Sequence, residues 1–378
     1  MKFTFSFTKR LIFALCFLFL IGNFTILDVY AYSTADNLQD GGVYFIKNKN
    51  SGKYLDVQGA IDEDGANVAQ YDFNGGDNQK WQVDYQGSGL YRLVSLCGSG
   101  NRVLDVNPGD NTQGGNIDIW SDLGIDDMRF AIVLNSDGYS YRIISQCSSY
   151  SKVVTVQNAS NDEGASVFQY TYNASTNDEW LFEPTFKDQD LGSQYAHMVF
   201  NTTCPTYPNL RTMGGANAGD CANFTSQCLL QAGSAHFNNT WWIYKKNGSY
   251  PSPTTTTQLD NSWSLADPSP WISAVEFNDF WSSYADTTSE YTAQYILSNP
   301  DSIYNSIYER GDAVQILQKV NWWYEGYHTM YLCNYGTYDG NYNFTLSYHS
   351  INMIDKGLLE ICQAYNTSNY KFKFFHFQ

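Results

Sequence analysis

Cys221 lies in the string GDCANFTSQCLLQAG, residues 219–233, and its position there has the makings of a nucleophile. Asp220 is a favourable N-cap, Phe224, Cys228 and Ala232 continue an apolar stripe at helical spacing, and Gly233 supplies the stop. The spacing predicts a helix whose first turn carries Cys221. At that end the unpaired backbone donors and the macrodipole favour thiolate over thiol. The competing reading is a buried structural cysteine or half of a disulfide. A cysteine nucleophile also needs a base that reaches its sulfur and a third group that orients the base. Five histidines are available, and His197 (helical pattern), His236 (polar loop) and His376 (terminal tail) read as solvated or packed. His328 and His349 differ, because they flank an alternating pattern: GDAVQIL (311–317) predicts one strand, HTMYLCNY (328–335) begins a second and YNFTLSYHS (342–350) a third, with a hairpin turn at Asp339-Gly340. His328 would start one strand and His349 would end its neighbour, where two imidazoles could meet. A purely structural pair of strand histidines is the alternative.

Helix followed by a small sheet indicates an α+β domain, expected over residues 191–378. A different organisation precedes it. Between Tyr44 and Trp180 the chain repeats itself three times with a period of 47 to 50 residues: 44–81 closing in NQKW, 91–130 closing in DMRF, and 141–180 closing in NDEW. Each segment holds short alternating runs, a Gly/Asn/Asp turn and a closing aromatic. Units of this size cannot bury their aromatics alone and must share one core, which predicts an all-β trefoil over residues 41–184.

These repeats resemble the ricin-type lectin domain, and NQKW matches the Q-x-W signature of that family. The resemblance implies carbohydrate binding, with a sugar held by an aspartate, an aromatic platform and amides just before the closing aromatic. In the first repeat it points to Asp56, Tyr71, Asn78 and Gln79. The second keeps Asp105 and Trp120 but has Asp127 and Met128 where the amides belong. The third has Thr155 in place of the aspartate and keeps Tyr170, so it is expected to be structural. In such a site the ring stacks on the apolar side of a pyranose while carboxylate and amides orient its hydroxyls.

The second half resembles an amidase family of the papain-like superfamily, related in layout to CHAP and other cell-wall cysteine peptidases. The matching pieces are QYAHMVFNTTCPTYP, GDCANFTSQCLLQAG, WWIY, SPWISAVEFNDFW, GDAVQI, GYHTMYL and SYHS, in the family's order. By this resemblance Cys221 is the nucleophile, His328 the general base and His349 the polar third member. The usual double glycine before the aspartate is here Ala218-Gly219, with Gly214-Gly215 lying earlier.

Residues 1–31 read as an export signal, with Lys2, Lys9 and Arg10 before an apolar core and a small-residue site ending at Ala31. A secreted, extracellular protein without an integral membrane segment in its mature chain is therefore expected. The formal charge of −17 would become −19 without the three cations and the one anion (Asp28) of that leader. So acidic a chain excludes nucleic acid as a partner by charge. Seven cysteines would remain, so at least one thiol stays unpaired while six could form up to three disulfides, with Cys221 the expected odd one. No CxxC pair or HExxH helix occurs, and neither a metal nor a cofactor is expected.

Together these readings predict a secreted, glycan-binding cysteine amidohydrolase whose partners are a carbohydrate or cell-wall polymer and a peptide or glycopeptide substrate. The alternatives are a lectin or adhesin with an inactive amidase-like domain, and a secreted peptidase acting on glycoproteins.

Overall fold

The computed structural model describes residues 38–213, 220–349 and 352–378. The expected leader and the segment containing Gly214, Gly215, Ala218 and Gly219 lie outside the described residues.

Each repeat of the first half contributes four strands: β1 (Val43–Asn48), β2 (Tyr54–Val57), β3 (Ala66–Tyr71) and β4 (Lys80–Gly87); β5 (Leu90–Ser95), β6 (Arg102–Asn107), β7 (Asn116–Ser121) and β8 (Phe130–Leu134); β9 (Tyr141–Ser145), β10 (Lys152–Val156), β11 (Ala165–Thr171) and β12 (Trp180–Pro184). The outer strands of each set pair in the closed circuit β1–β4–β5–β8–β9–β12, a six-stranded barrel. Hairpins β2–β3, β6–β7 and β10–β11 cap it and touch through β3–β7, β7–β11 and β11–β3. This is a β-trefoil. The closing aromatics Trp81, Phe130 and Trp180 are fully buried in one core, and the indole N–H groups of Trp81 and Trp180 donate to the carbonyls of Leu55 (3.0 Å) and Val154 (2.8 Å). The shared core thus accounts for the repeat.

The second half contains α1 (Gln189–Val199), α2 (Cys221–Gln231), β13 (Ile243–Lys245), α3 (Thr256–Ser262), β14 (Trp263–Leu265), α4 (Ala274–Tyr284), β15 (Thr287–Tyr291), α5 (Ala293–Ser298), α6 (Pro300–Tyr304), β16 (Ala313–Val320), β17 (Trp323–Tyr338), β18 (Asn341–Tyr348), β19 (Met353–Gly357), α7 (Leu358–Ala364) and β20 (Tyr370–His376). Six strands form an antiparallel sheet in the order β15-β20-β16-β17-β18-β19. Asp339 and Gly340 turn the β17–β18 hairpin with φ of 48° and 77°, the left-handed pair that a two-residue turn requires. Alternation assigns the strand residues to two faces. Tyr331 and Cys333 of β17 pack with α1, α2 and α4, whereas Met330 and Leu332 pack with α5, α6 and α7.

The first of those cores also takes in Phe45, Tyr54, Tyr139 and Leu181 of the trefoil, so the halves share apolar contacts. A polar knot lies within that junction: Lys47 Nζ is 2.7 Å from Glu183 and donates to the Tyr207 hydroxyl (2.9 Å), while Tyr54 donates to Glu183 (2.7 Å). Removing one member of such a knot would leave a buried charge without its partner, typically at a cost of about 3 to 5 kcal/mol.

Candidate active site and sugar sites

Cys221 is the first residue of α2 and is 4 % exposed. Every residue of the helix is buried, so its start is fixed from all sides. The backbone N–H groups of Ala222 and Thr329 and the Thr329 hydroxyl lie around the sulfur and favour thiolate. Burial is the largest influence and, with the neighbouring Asp220 carboxylate, pushes the thiol up from its ordinary value against their pull. The Thr329 hydroxyl is oriented in turn by Gln315, whose Nε2 donates to it at 2.9 Å and to the Ala274 carbonyl at 2.7 Å. Sequence reasoning missed Thr329 and Gln315, although both lie inside quoted motifs, GYHTMYL and GDAVQI.

Asp220 does not cap the helix with its side chain. Its Oδ2 instead accepts from His349 Nδ1 at 2.7 Å, and its Oδ1 takes Asn223 Nδ2 (2.7 Å) and the Leu210 N–H (3.3 Å). The imidazole of His349, 2 % exposed, lies 4.2 Å from the Phe224 ring, and its Nε2 is 2.8 Å from Arg211 Nη2 and 3.0 Å from the Val199 carbonyl. His349 therefore stands on the α2 side of the sheet, clamping the residue that precedes the cysteine.

His328 is placed differently. Its ring meets Tyr348 edge to face at 4.6 Å, in phase with Met330 and Leu332 on the other side of the sheet. Among the described residues no hydrogen bond joins it to Cys221 or to His349, so the expected meeting of two imidazoles does not occur. The reason is strand parity: Thr329 reaches the sulfur, and the residue next to it in a strand points the opposite way. Burial pushes the His328 imidazole down to about 4, which keeps it neutral near pH 7.

All seven described cysteines, Cys97, Cys147, Cys204, Cys221, Cys228, Cys333 and Cys362, carry free thiols. None of the up to three disulfides that six of them could form is present among the described residues, and Cys221 is not singled out by being unpaired. A second His/Cys/Asp group is present instead, formed by His197, Cys333 and Asp355.

In the first trefoil repeat the candidates converge. Asp56 Oδ2 accepts from Gln79 Nε2 and Asn78 Nδ2, both at 2.8 Å, and from Asn74 Nδ2 at 3.4 Å. Burial raises its carboxyl to about 6 against the pull of those amides. Tyr71 follows on the paired strand, two residues beyond Ala69, the partner of Asp56. In the second repeat Asp105 faces Asp118 across the hairpin, and Asp105, Asp118 and Asp127 each bury an oxygen without a partner. Burial and the neighbouring carboxylates push Asp105 up to about 7. Trp120 packs against Val94, Val103 and Met128, which leaves only part of its ring for stacking. In the third repeat Thr155 donates to Asp178 (2.6 Å), in a cavity of about 470 Å³ that Tyr170 and Asn177 also line. A carboxylate is thus restored there from the opposite side, which the missing strand aspartate concealed.

Architecture and sites define a carbohydrate-binding trefoil joined to an amidase-type α+β domain. A ricin-type beta-trefoil lectin domain-like model matches residues 32–120 and 96–170. The "Putative amidase domain" model matches residues 186–374, half of the chain, and the chain belongs to that family. The clotting factor G alpha subunit of Tachypleus tridentatus is 36% identical over 52 residues, which are 14% of this chain and 8% of that protein. Among solved structures, a designed threefold-symmetric protein, ThreeFoil, is 37% identical with a TM-score of 0.35, covering 37% of this chain and 97% of its own. An exo-beta-1,3-galactanase from Clostridium thermocellum is 28% identical with a TM-score of 0.36, covering 38% of this chain and 30% of its own. No described helix is long and apolar enough to cross a membrane.

Proposed function

We propose that the protein is a secreted cysteine amidohydrolase that its trefoil delivers to a glycan, and that it cleaves amide bonds in the peptide part of peptidoglycan or of another glycopeptide. The observation that carries this reading is Cys221 at the first turn of α2, where the N–H groups of Ala222 and Thr329 favour thiolate against the burial that raises the thiol. His328, the base that the family resemblance implies, faces the other side of the sheet, so this reading gives it no contact with the sulfur. The thiol gives up its proton, the sulfur adds to the amide carbonyl, and a proton leaves with the amine. Water then cleaves the thioester and regenerates the thiol. His349 acts as a positioning residue, holding Asp220 and with it the start of α2. Asp56, Tyr71, Asn78 and Gln79 hold the sugar, Asp105 and Trp120 offering a weaker second site.

Burial of the thiol favours one other reading, a lectin whose amidase-like domain is inactive. Iodoacetamide at neutral pH, applied before digestion of purified peptidoglycan and of casein side by side, separates the readings. Labelling of Cys221 that abolishes release of peptide or amino groups is expected, as is complete loss in Cys221→Ala. Cleavage that persists in Cys221→Ala would remove the assignment, and absence of cleavage in the unmodified protein would favour the inactive lectin. Digestion of casein alone would favour a peptidase.

A further inference from the structure

His197, Cys333 and Asp355 play no part in the proposed reaction, yet three separate elements bring them together. His197 is on the last turn of α1, Cys333 in the middle of β17 and Asp355 on β19. Among the described residues they are the one group of three His, Cys, Asp or Glu side chains whose ligand atoms all lie within 4.8 Å of one another. We propose that they form a metal site that takes a divalent cation of the zinc class, with water completing the coordination.

The spacing of the donors supports this. His197 Nε2 is buried and lies 3.1 Å from Asp355 Oδ2, outside the alignment of a good hydrogen bond but close enough for the imidazole to hold the Asp355 carboxyl below its ordinary value. Ligands bound at about 2.0 to 2.1 Å to a tetrahedral ion stand roughly 3.3 Å apart, close to the observed spacing.

The surroundings hold each ligand in place. Thr345 donates to Asp355 Oδ1 at 2.8 Å, which leaves Oδ2 for the ion. Asp355 itself has a φ of 48°, and its N–H donates to Ser347 Oγ at 3.1 Å, so the strand is turned to present this side chain. Ser347 also lies beside the Cys333 sulfur and eases its ionisation. One helical turn before His197, Ser193 Oγ donates to the Cys333 carbonyl at 2.5 Å and fixes α1 against β17. Outer partners of this kind orient the ligands of natural metal sites.

The donor set selects the ion. One sulfur, one imidazole nitrogen and one carboxylate oxygen suit zinc or cobalt, whereas calcium and magnesium take oxygen ligands. The side chains of His197 and Asp355 are 28 % and 35 % exposed, which gives the ion a way in and leaves room for water on the outer side. Binding forms a metal–sulfur bond and releases the thiol proton to solvent. The bound ion would cross-link α1 to the β17–β19 side of the sheet.

Cobalt(II) titration of the full chain, after dialysis against a chelator, tests this directly. One equivalent is expected to produce the visible bands of a tetrahedral site with a near-ultraviolet sulfur-to-cobalt charge-transfer band, and zinc should displace both. Cys333→Ala should remove the charge-transfer band while Cys221→Ala keeps it. His197→Ala, at a partly exposed position that tolerates truncation, should weaken cobalt binding about tenfold or more. Absence of the bands in the unmodified protein would overturn the proposal. So would bands that survive Cys333→Ala, or cobalt affinity unchanged in folded His197→Ala.

Discussion

The first-repeat sugar site and the cysteine site are built on opposite plans. Asp56, Asn74, Asn78 and Gln79 lie within 24 residues of chain, and all three amides donate to one carboxylate oxygen. Cys221, Gln315, His328, Thr329 and His349 come from a helix, two strands and the turn after a third, so a single residue of strand parity decides which side chain reaches the sulfur. A site closed by local contacts tolerates change elsewhere in the fold. One assembled across a sheet depends on every register that supports it.

The largest effect that would sharpen this contrast is expected from Cys221→Ala, which removes the nucleophile and should abolish turnover. His328→Ala, on the other face of the sheet, should leave turnover nearly unchanged, and the melting temperature should hardly change, because the imidazole makes a ring contact and no hydrogen bond among the described residues. Turnover lost in folded His328→Ala would restore it as the base.

His349→Ala should fail in the other way. It strips a buried carboxylate, Asp220, of its 2.7 Å partner, and removing one member of such a pair costs about 3 kcal/mol or more. Denaturant unfolding should report that loss, with turnover falling because the start of α2 shifts. Unchanged stability together with lost turnover would return His349 to a direct role beside the base.

What was readable in advance follows the same division. The closing residues Trp81, Phe130 and Trp180, repeated at a fixed interval, announced the trefoil because each repeat needs the shared core. The pattern around Cys221 announced a helix through its apolar stripe and Gly233, at φ 66°, after it, whereas the expected Asp220 cap is absent because its carboxylate is taken by His349 and Asn223. The facing of His328 and His349 was not readable. The sheet carries helices on both sides, so Met330 and Leu332 are as buried as Tyr331 and Cys333, and no alternation of polar and apolar residues marks the face. The His197–Cys333–Asp355 group was hidden because its members are separated by 136 and 22 residues and no short motif joins them. The third-repeat carboxylate was hidden by exchange: Asp178, within the closing NDEW, stands opposite Thr155 in a repeat expected to be structural.

A smaller effect is expected in the trefoil. Asp56→Ala and Tyr71→Ala should each cost about 1 to 3 kcal/mol of sugar affinity, by loss of a charged acceptor and of a stacking face. Retention of the full-length double variant on a glycan array measures this, and hydrolysis of a small soluble amide should stay intact. Undiminished retention would move the sugar to the second repeat or to the cavity beside Tyr170 in the third.

The smallest effect lies in the dependence on pH, where the two regions should pull in opposite directions. Burial holds Asp56 up at about 6 and His328 down at about 4. Between those values the folded protein keeps a proton on Asp56 that the unfolded chain, with an ordinary carboxyl near 3.8, has already lost. The Asp56 contribution to stability therefore grows as pH falls and is lost as pH rises through about 6. The unfolded chain binds a proton on His328 near the ordinary value of 6.5, whereas the folded protein refuses it until about 4. That contribution is present above 6.5 and is lost as pH falls through the window. His236, also pushed down to about 4, adds to the second trend, and Asp105, pushed up to about 7, adds to the first. Denaturant unfolding at intervals between pH 4 and pH 6.5 should then show Asp56→Asn making the acid loss steeper and His328→Gln making it shallower. Sugar retention should weaken as pH falls through about 6, since protonation of Asp56 removes an acceptor, while amide turnover should not follow that curve. Retention and turnover that fall together along one curve would tie both regions to a single titrating group and remove the independence of the two sites.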